Sequence, residues 1–170
     1  MAYLAKLIAR LFHGFKITKS YEAKINGKFE IINIISNKGR LVTIPSGSWG
    51  EIFVSNDVLK QVTNPELNSV LFHEIYHRYN PKIKKLDKRF NKIFFPKDYL
   101  TVYQRYFPYF FKFMWQKEIK ADLFSTLKSN KKFFLNFLDK KVKFKINLRE
   151  IDIHHPPTEL RKWIIRKYGF

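Results

Sequence analysis

The sequence predicts an α+β domain in which a small, mostly antiparallel or mixed sheet precedes several helices. Strand-like runs dominate the first third of the chain, and an Asn26-Gly27 pair of the kind that forms tight hairpin turns separates two of them. From Asn64 onward the apolar residues recur at helical spacing. A chain of 170 residues can bury one sizeable core, so we expect a single domain over residues 1–170.

The front of the chain is predicted to contain one helix and three or four strands. Residues 2–15 form an amphipathic pattern, which predicts a helix that packs on the core or, alternatively, lies on a membrane surface. Its apolar residues are Leu4, Ile8, Leu11 and Phe15. Two strands flank the Asn26-Gly27 turn, and further strands are predicted at residues 40–44 and 49–54.

The remainder of the chain is predicted to be mainly helical. One helix begins near Asn64, which can cap it, carries Pro65 at its first position and ends near Asn80. The other helices are predicted at residues 82–95, about 108–127, 133–138 and 157–168, with an extended stretch at 141–148.

Charge and composition narrow the classes of function. The 33 basic and 14 acidic residues leave a net charge of +19, which attracts nucleic acid, anionic lipid or an acidic partner unless it reflects compositional bias alone. The absence of cysteine excludes disulfides, thiolate metal ligands and a cysteine nucleophile. No window approaches the roughly 18 to 20 apolar residues of a membrane span, and no signal-peptide pattern is present. We therefore expect a cytoplasmic protein, with peripheral association with an anionic membrane left open.

The strongest local motif is H-E-x-x-H, formed by His73, Glu74 and His77. Residues four apart lie on one face of a helix, so the two histidines can bind one ion while Glu74 leans toward the same side. The alternative is a helix with two surface histidines and a solvated glutamate. The motif predicts a catalytic zinc site.

A catalytic zinc needs a third protein ligand and keeps a fourth position open for water. A third histidine six residues after the second is excluded, because Ile83 stands there. Glu118 and Asp122 lie four apart on a predicted helix, so we expect Glu118 to bind the metal and Asp122 to accept a hydrogen bond from the outer nitrogen of a ligating histidine. The alternative is a solvated acidic face paired with Lys117 and Lys120.

H-E-x-x-H followed by E-x-x-A-D resembles the gluzincin zinc peptidases of the HtpX-like family, which includes the CAAX prenyl endopeptidases. The segment "HPPTELR", His155 to Arg161, resembles that family's H-P-x-x-x-x-R motif. The resemblance covers about Gly50 to Arg161, apart from the segment between the metal helices and residues 128–152. The chain departs from the family at Tyr76, where a glycine is usual, and lacks transmembrane segments, so it resembles the soluble minigluzincins.

The resemblance implies a zincin-like fold and a zinc-dependent endopeptidase. Zn²⁺, which suits two imidazoles and one carboxylate, would be held by His73, His77 and Glu118. Glu74 would act as general base toward the attacking water and then as general acid toward the leaving amine of a peptide or protein substrate.

Two residues near the end of the chain are candidates for stabilising the negative oxygen of the reaction. They are His155 and Arg161, with His154 as an alternative to His155. Both could instead have ordinary roles, His155 at the cap of a helix and Arg161 on its surface.

Substrate binding is predicted at the strand nearest the cleft. An exposed strand edge can pair with an extended peptide through main-chain hydrogen bonds. The residues are Gly50, Glu51, Ile52, Phe53 and Val54. The alternative is an interior strand with no free edge.

The run from Tyr103 to Trp115 is the most aromatic part of the chain. We expect a buried helix, with exposure toward a membrane interface as the alternative. No motif indicates specific binding of nucleic acid. A different class of function also stays open, a non-catalytic basic adaptor that binds nucleic acid or anionic membrane and keeps a metal only for structure.

Overall fold

The computed structural model of the chain describes residues 16–25, 27–36, 51–143 and 155–170. The predicted N-terminal helix, the strand at residues 40–44, Gly50, His154 and the extended stretch beyond residue 143 lie outside these ranges.

The described part of the sheet has three strands in the order β1-β2-β3. They are β1 (Lys16–Ile25), β2 (Lys28–Ser36) and β3 (Glu51–Ser55). The pair β1 and β2 is antiparallel, whereas β2 and β3 run parallel, so the sheet is mixed. Together with the helices that follow, this gives an α+β architecture, which agrees with the predicted class.

The hairpin between β1 and β2 confirms the turn predicted from Asn26-Gly27. Ile25 pairs with Lys28, and Gly27 has φ of 80°, a left-handed conformation that glycine adopts without steric cost. The local turn chemistry therefore sets the register of both strands.

Eight α-helices and one 3₁₀ turn (Lys97–Tyr99) follow in the described residues. The helices are α1 (Asn56–Leu59), α2 (Asn64–Tyr79), α3 (Lys84–Asn91), α4 (Val102–Tyr106), α5 (Pro108–Met114), α6 (Gln116–Lys128), α7 (Lys131–Lys143) and α8 (Thr158–Tyr168).

Both ends of α2 lie where the sequence places them, with a shift of one residue at the start. The N-cap is Thr63 rather than Asn64, because the backbone N–H of Thr63 donates to Oε2 of Glu66 at 2.7 Å in a capping box. The helix ends at Asn80, which adopts φ of 40° and stops the chain from continuing as a helix.

The predicted long helix from Pro108 to about Leu127 is wrong, since it divides into α5 and α6. Trp115 interrupts it with φ of −89° and ψ of 4°, and its indole is fully buried beside Phe95 and Phe111. Helix α7 is longer than its predicted range, and α4 has no counterpart in the sequence prediction.

The core lies between one face of the sheet and the layer of helices. Helix α2 packs closely on α6, and both contact α7, while α8 packs on α6 and α7. Sheet residues in this core include Ile32, Ile34, Ile52 and Val54. None of the helices within the described ranges combines the length and apolar content needed to cross a bilayer.

The expectation that the aromatic run is buried is wrong for most of its members. Tyr103, Tyr106 and Phe113 are 75%, 77% and 71% exposed, whereas Trp115 is fully buried. The run is therefore anchored by the buried Trp115 and the partly buried Phe111, and most of its other rings face solvent.

Candidate metal centre

Helix α2 brings His73 and His77 together, as their spacing predicts, and Glu74 follows His73 on the same helix. The two imidazoles sit one turn apart, with ring centroids 4.7 Å from each other in an edge-to-face arrangement. His73 and Glu74 are each only 6% exposed, so the motif is not a pair of surface histidines with a solvated glutamate.

Three potential ligand atoms converge at this point, and the third comes from α6. Nε2 of His77 lies 3.1 Å from Nε2 of His73 and 2.9 Å from Oε1 of Glu118, and Nε2 of His73 lies 3.4 Å from Oε2 of Glu118. Ligands bound tetrahedrally to one zinc ion at about 2.05 Å are about 3.3 Å apart. The spacing of the three side chains therefore suits a single small cation.

Close packing of α6 on α2 carries Glu118 to the histidines. The hydroxyl of Ser125 donates to the carbonyl oxygen of Ser69 at 2.7 Å, and the Ser69 and Ser129 hydroxyls are 2.9 Å apart. Ala121, on the same helix, is fully buried. Small side chains at this crossing let the two helices approach each other closely.

Asp122 lies directly behind the centre, as predicted for the partner of a ligating histidine. Its Oδ1 is 2.9 Å from Nδ1 of His73, although the ring nitrogen is not well aligned with the oxygen. Carboxylates in this position hold the ring orientation and tautomer of metal-binding histidines. The predicted division of labour between Glu118 and Asp122 therefore matches their positions.

Charges near the centre are strongly coupled. Burial disfavours the imidazolium of His73, but the contacts with Asp122 and Glu118 outweigh burial and raise its pKa to about 9. Burial likewise opposes the charged form of Glu118, yet the two histidines hold its pKa well below the ordinary range. The two opposite shifts share one cause, the contact between the Glu118 carboxylate and the imidazole of His73.

Arg161 contacts Asp122 and not the three ligand atoms, so it lies further from the candidate metal position than predicted. Its Nε and Nη2 donate to the two carboxylate oxygens of Asp122 at 2.8 and 2.6 Å, and both side chains are buried. Burial raises the pKa of Asp122, but Arg161 and His73 together lower it more, so the Asp122 carboxylate stays charged beside the guanidinium. These contacts do not place Arg161 at the reacting atoms and instead orient the carboxylate that faces His73.

His155 lies beside Glu118 and is partly exposed to solvent. Its Nε2 is 3.6 Å from Oε1 of Glu118, and half of its side chain is exposed. A group there can reach a molecule bound at the centre.

Two aromatic contacts at the centre are absent from the sequence predictions. The ring of Phe134, on α7, stacks on His73 with centroids 5.8 Å apart. Tyr76 fills the space between α2 and α6 by packing on Phe124 at 5.6 Å. The amphipathic pattern of α7 predicts a buried Phe134, but no local signal connects it with His73.

The predicted substrate strand is only partly described. Within the described ranges β3 has β2 on one side and no strand on the other, which fits an edge. The side chains of β3 residues Glu51–Val54 are all buried, so any contact with a peptide would be through the main chain. Glu51 is fixed by the amide of Asn33, which donates to its Oε2.

Comparisons with models of protein families, with curated proteins and with solved structures find no match to this chain. Membership of the HtpX-like family, which rests on the short motifs of the sequence, stays a prediction.

Proposed function

We propose that this protein is a zinc-dependent endopeptidase of zincin-like fold, similar to the soluble HtpX-like peptidases. The observation that carries the proposal is the convergence of two imidazole nitrogens from α2 and a carboxylate from α6. Assembling such a largely buried set costs free energy, because its charged groups lose their contact with water. A bound cation would offset that cost.

The donor set suits zinc. His73, His77 and Glu118 would hold the ion, and two nitrogens with one carboxylate form a common catalytic zinc set. Zinc bound there would supply Lewis acidity, lowering the pKa of a coordinated water to about 7 and polarising a substrate carbonyl.

Glu74 would move the protons of the reaction. It follows His73 on the same helix, is largely buried and interacts electrostatically with Arg161. There it would take a proton from the attacking water and deliver it to the leaving nitrogen of the peptide bond.

Residues around the centre would assist in two ways. His155, half exposed and close to Glu118, would donate a hydrogen bond to the oxygen on which negative charge develops. Arg161 would act as a positioning residue, since it holds Asp122 against His73. An extended substrate would pair with the free edge of β3 through backbone hydrogen bonds.

Glu74→Gln tests the proposal, with Glu22→Gln on an exposed face of β1 as its matched control. Cleavage of a mixture of fluorogenic peptides is expected to fall at least about a hundredfold in kcat/KM for Glu74→Gln and to stay at the wild-type level for Glu22→Gln. Elemental analysis is expected to find one zinc per chain in wild type and in Glu74→Gln, and none in His77→Ala. Equal cleavage by wild type and Glu74→Gln contradicts catalysis, and equal zinc content in His77→Ala contradicts the metal site.

A further inference from the structure

Helices α4 and α5 carry a cluster of exposed aromatic side chains that the proposed peptidase does not use. We define the aromatic face as Tyr103, Tyr106, Phe107, Tyr109, Phe110 and Phe113, whose side chains are between 57% and 77% exposed. Val102 and Phe94 extend it at 64% and 69% exposure. Contiguous apolar patches of this kind mark binding surfaces on folded proteins, because water contact with so much apolar area is unfavourable.

Hydrogen bonds and one buried ring hold the helices of the aromatic face in place. The backbone N–H of Thr101 donates to Oε1 of Gln104, which caps α4, and Nε of Arg105 donates to the carbonyl oxygens of Lys97 and Leu100. Trp115 anchors the far end of α5 by full burial. Rigid presentation lowers the entropic cost of binding.

The charge around the aromatic face identifies the kind of surface it fits. Within residues 97–117 the basic residues are Lys97, Arg105, Lys112 and Lys117 and the acidic one is Asp98; in space Asp87 also lines a cavity with Phe113, together with Lys82, Lys117 and Lys120, and the whole chain carries +19. A second copy of the chain, or its own N-terminal segment with Lys6 and Arg10, would bring like charge to this surface. An anionic partner is complementary to it.

We propose that the aromatic face docks on the surface of an anionic lipid bilayer. Phenylalanine and tyrosine side chains that project from two short, successive helices can enter the interfacial region together, while Lys97, Arg105 and Lys117 meet anionic headgroups. The ammonium of Lys112 is instead held by the carbonyl oxygens of Asn91 and Ile93. Single-stranded nucleic acid would require a groove in which basic residues follow the backbone between stacked bases. Here the exposed rings follow one another along two short successive helices, and the described residues around them form no such groove in any cavity lined by several of the rings.

Docking would also bring the candidate metal centre close to the lipid. Helix α5 leads directly into α6, on which Glu118 follows Trp115 by three residues. If the proposed peptidase activity holds, its substrates would include peptide segments at a membrane surface. The docking itself does not depend on that activity.

Vesicle binding by the full-length protein tests the proposal. Wild type is expected to float with vesicles that contain about 30% phosphatidylglycerol and to remain free of pure phosphatidylcholine vesicles. The triple variant Tyr106→Ser/Phe110→Ser/Phe113→Ser is expected to bind at least about tenfold more weakly, because binding scales with the apolar area that enters the interface. Two single variants serve as a matched pair. Phe113→Ser removes a 71% exposed ring from the aromatic face, and the control Phe29→Ser removes a 64% exposed ring from β2.

Circular dichroism and thermal unfolding establish that each variant folds as wild type does. The proposal is overturned if wild type does not bind anionic vesicles at low salt, or if Phe29→Ser weakens vesicle binding as much as Phe113→Ser does. It is also overturned if Leu4→Ser/Leu11→Ser alone releases the protein from vesicles. Two further outcomes reject it in favour of another partner: binding to single-stranded RNA but not to vesicles, or a dimer that only the triple variant dissociates. Because these assays need no proteolysis, a failure of the peptidase proposal leaves them interpretable.

Discussion

Both ring nitrogens of His73 lie beside carboxylates, so this residue connects Glu118 at the candidate metal position with Asp122 and Arg161 behind it. Nε2 faces Glu118 at the candidate metal position, and Nδ1 faces Asp122, which in turn is held by Arg161. A shift in any member of this series would turn the imidazole away from the point where the three ligand atoms meet. We therefore expect Arg161 to influence metal binding without touching the metal.

Arg161→Met tests that role, with Arg166→Met on the exposed side of the same helix as control. Removing the guanidinium leaves the buried Asp122 carboxylate with His73 but without its two strongest hydrogen bonds, so the free energy of unfolding is expected to fall by about 3–5 kcal/mol. Zinc affinity, measured by competition with a chelating dye, is expected to fall about 10- to 100-fold. A variant that lost only kcat, with unchanged stability and zinc affinity, would instead place Arg161 at the reacting oxygen.

At the scale of elements, α2 is the best specified part of the fold, because its start, its end and its metal-binding face all depend on local sequence. Glu66 does more than cap this helix. Nζ of Lys140, on α7, lies 2.6 Å from its Oε2, so the N-terminus of α2 is tied to a neighbouring helix. Burial raises the pKa of Glu66, but Lys140 and the Thr63 backbone lower it below its ordinary value of 4.5.

Glu66→Gln is expected to lower the free energy of unfolding by about 1 kcal/mol at pH 7, since glutamine can still cap the helix but cannot pair with Lys140. A group with a lowered folded-state pKa contributes stability above its unfolded pKa and loses it as pH falls through the folded value. The difference from wild type should therefore be constant above pH 5 and shrink below about pH 4.5. Urea unfolding across this range measures it.

Glu159→Gln is the control for this prediction. Glu159 also lies in the first turn of a helix and pairs with a lysine, but its side chain is 57% exposed. Its substitution is expected to change stability by less than about 0.5 kcal/mol. A Glu66→Gln effect that persists undiminished at pH 3 would show that the charge of Glu66 is not its source.

On the scale of the whole molecule, the candidate metal centre joins elements that are distant in sequence. Glu118 follows His73 by more than forty residues, and α7 and α8 complete the surroundings through Phe134 and Arg161. A cation bound by α2 and α6 would therefore stabilise the folded chain as a whole, because the site does not exist in the unfolded chain.

Zinc is expected to raise the unfolding free energy by about 2.7 kcal/mol at a free concentration one hundred times the Kd. For a domain of this size the increase corresponds to a rise in Tm of roughly 5–10 °C. Differential scanning calorimetry of the metal-free protein, titrated with zinc or with magnesium, measures the effect. Magnesium should have little effect, because it prefers oxygen ligands. A zinc-dependent rise of equal size in His77→Ala would assign the stabilisation to a different site.

Some features of the candidate site followed directly from the sequence. The H-E-x-x-H spacing depends only on helical geometry, and the four-residue spacing of Glu118 and Asp122 places both on one face of α6. The role of Arg161 could not be predicted in this way. Its guanidinium contacts Asp122 because α8 packs on α6, and the packing of two helices far apart in sequence leaves no local pattern.

By itself the sequence determined the hairpin around Gly27, the limits of α2 and the residues able to bind a metal, since each depends on backbone conformations and spacings within a few residues. Only the tertiary structure decided that Glu118 reaches the histidines, that Trp115 divides the predicted long helix and that most of the neighbouring aromatic rings remain exposed. The physical reason is that burial depends on which distant segments cover a side chain, and an aromatic residue has the same local pattern whether it is covered or exposed.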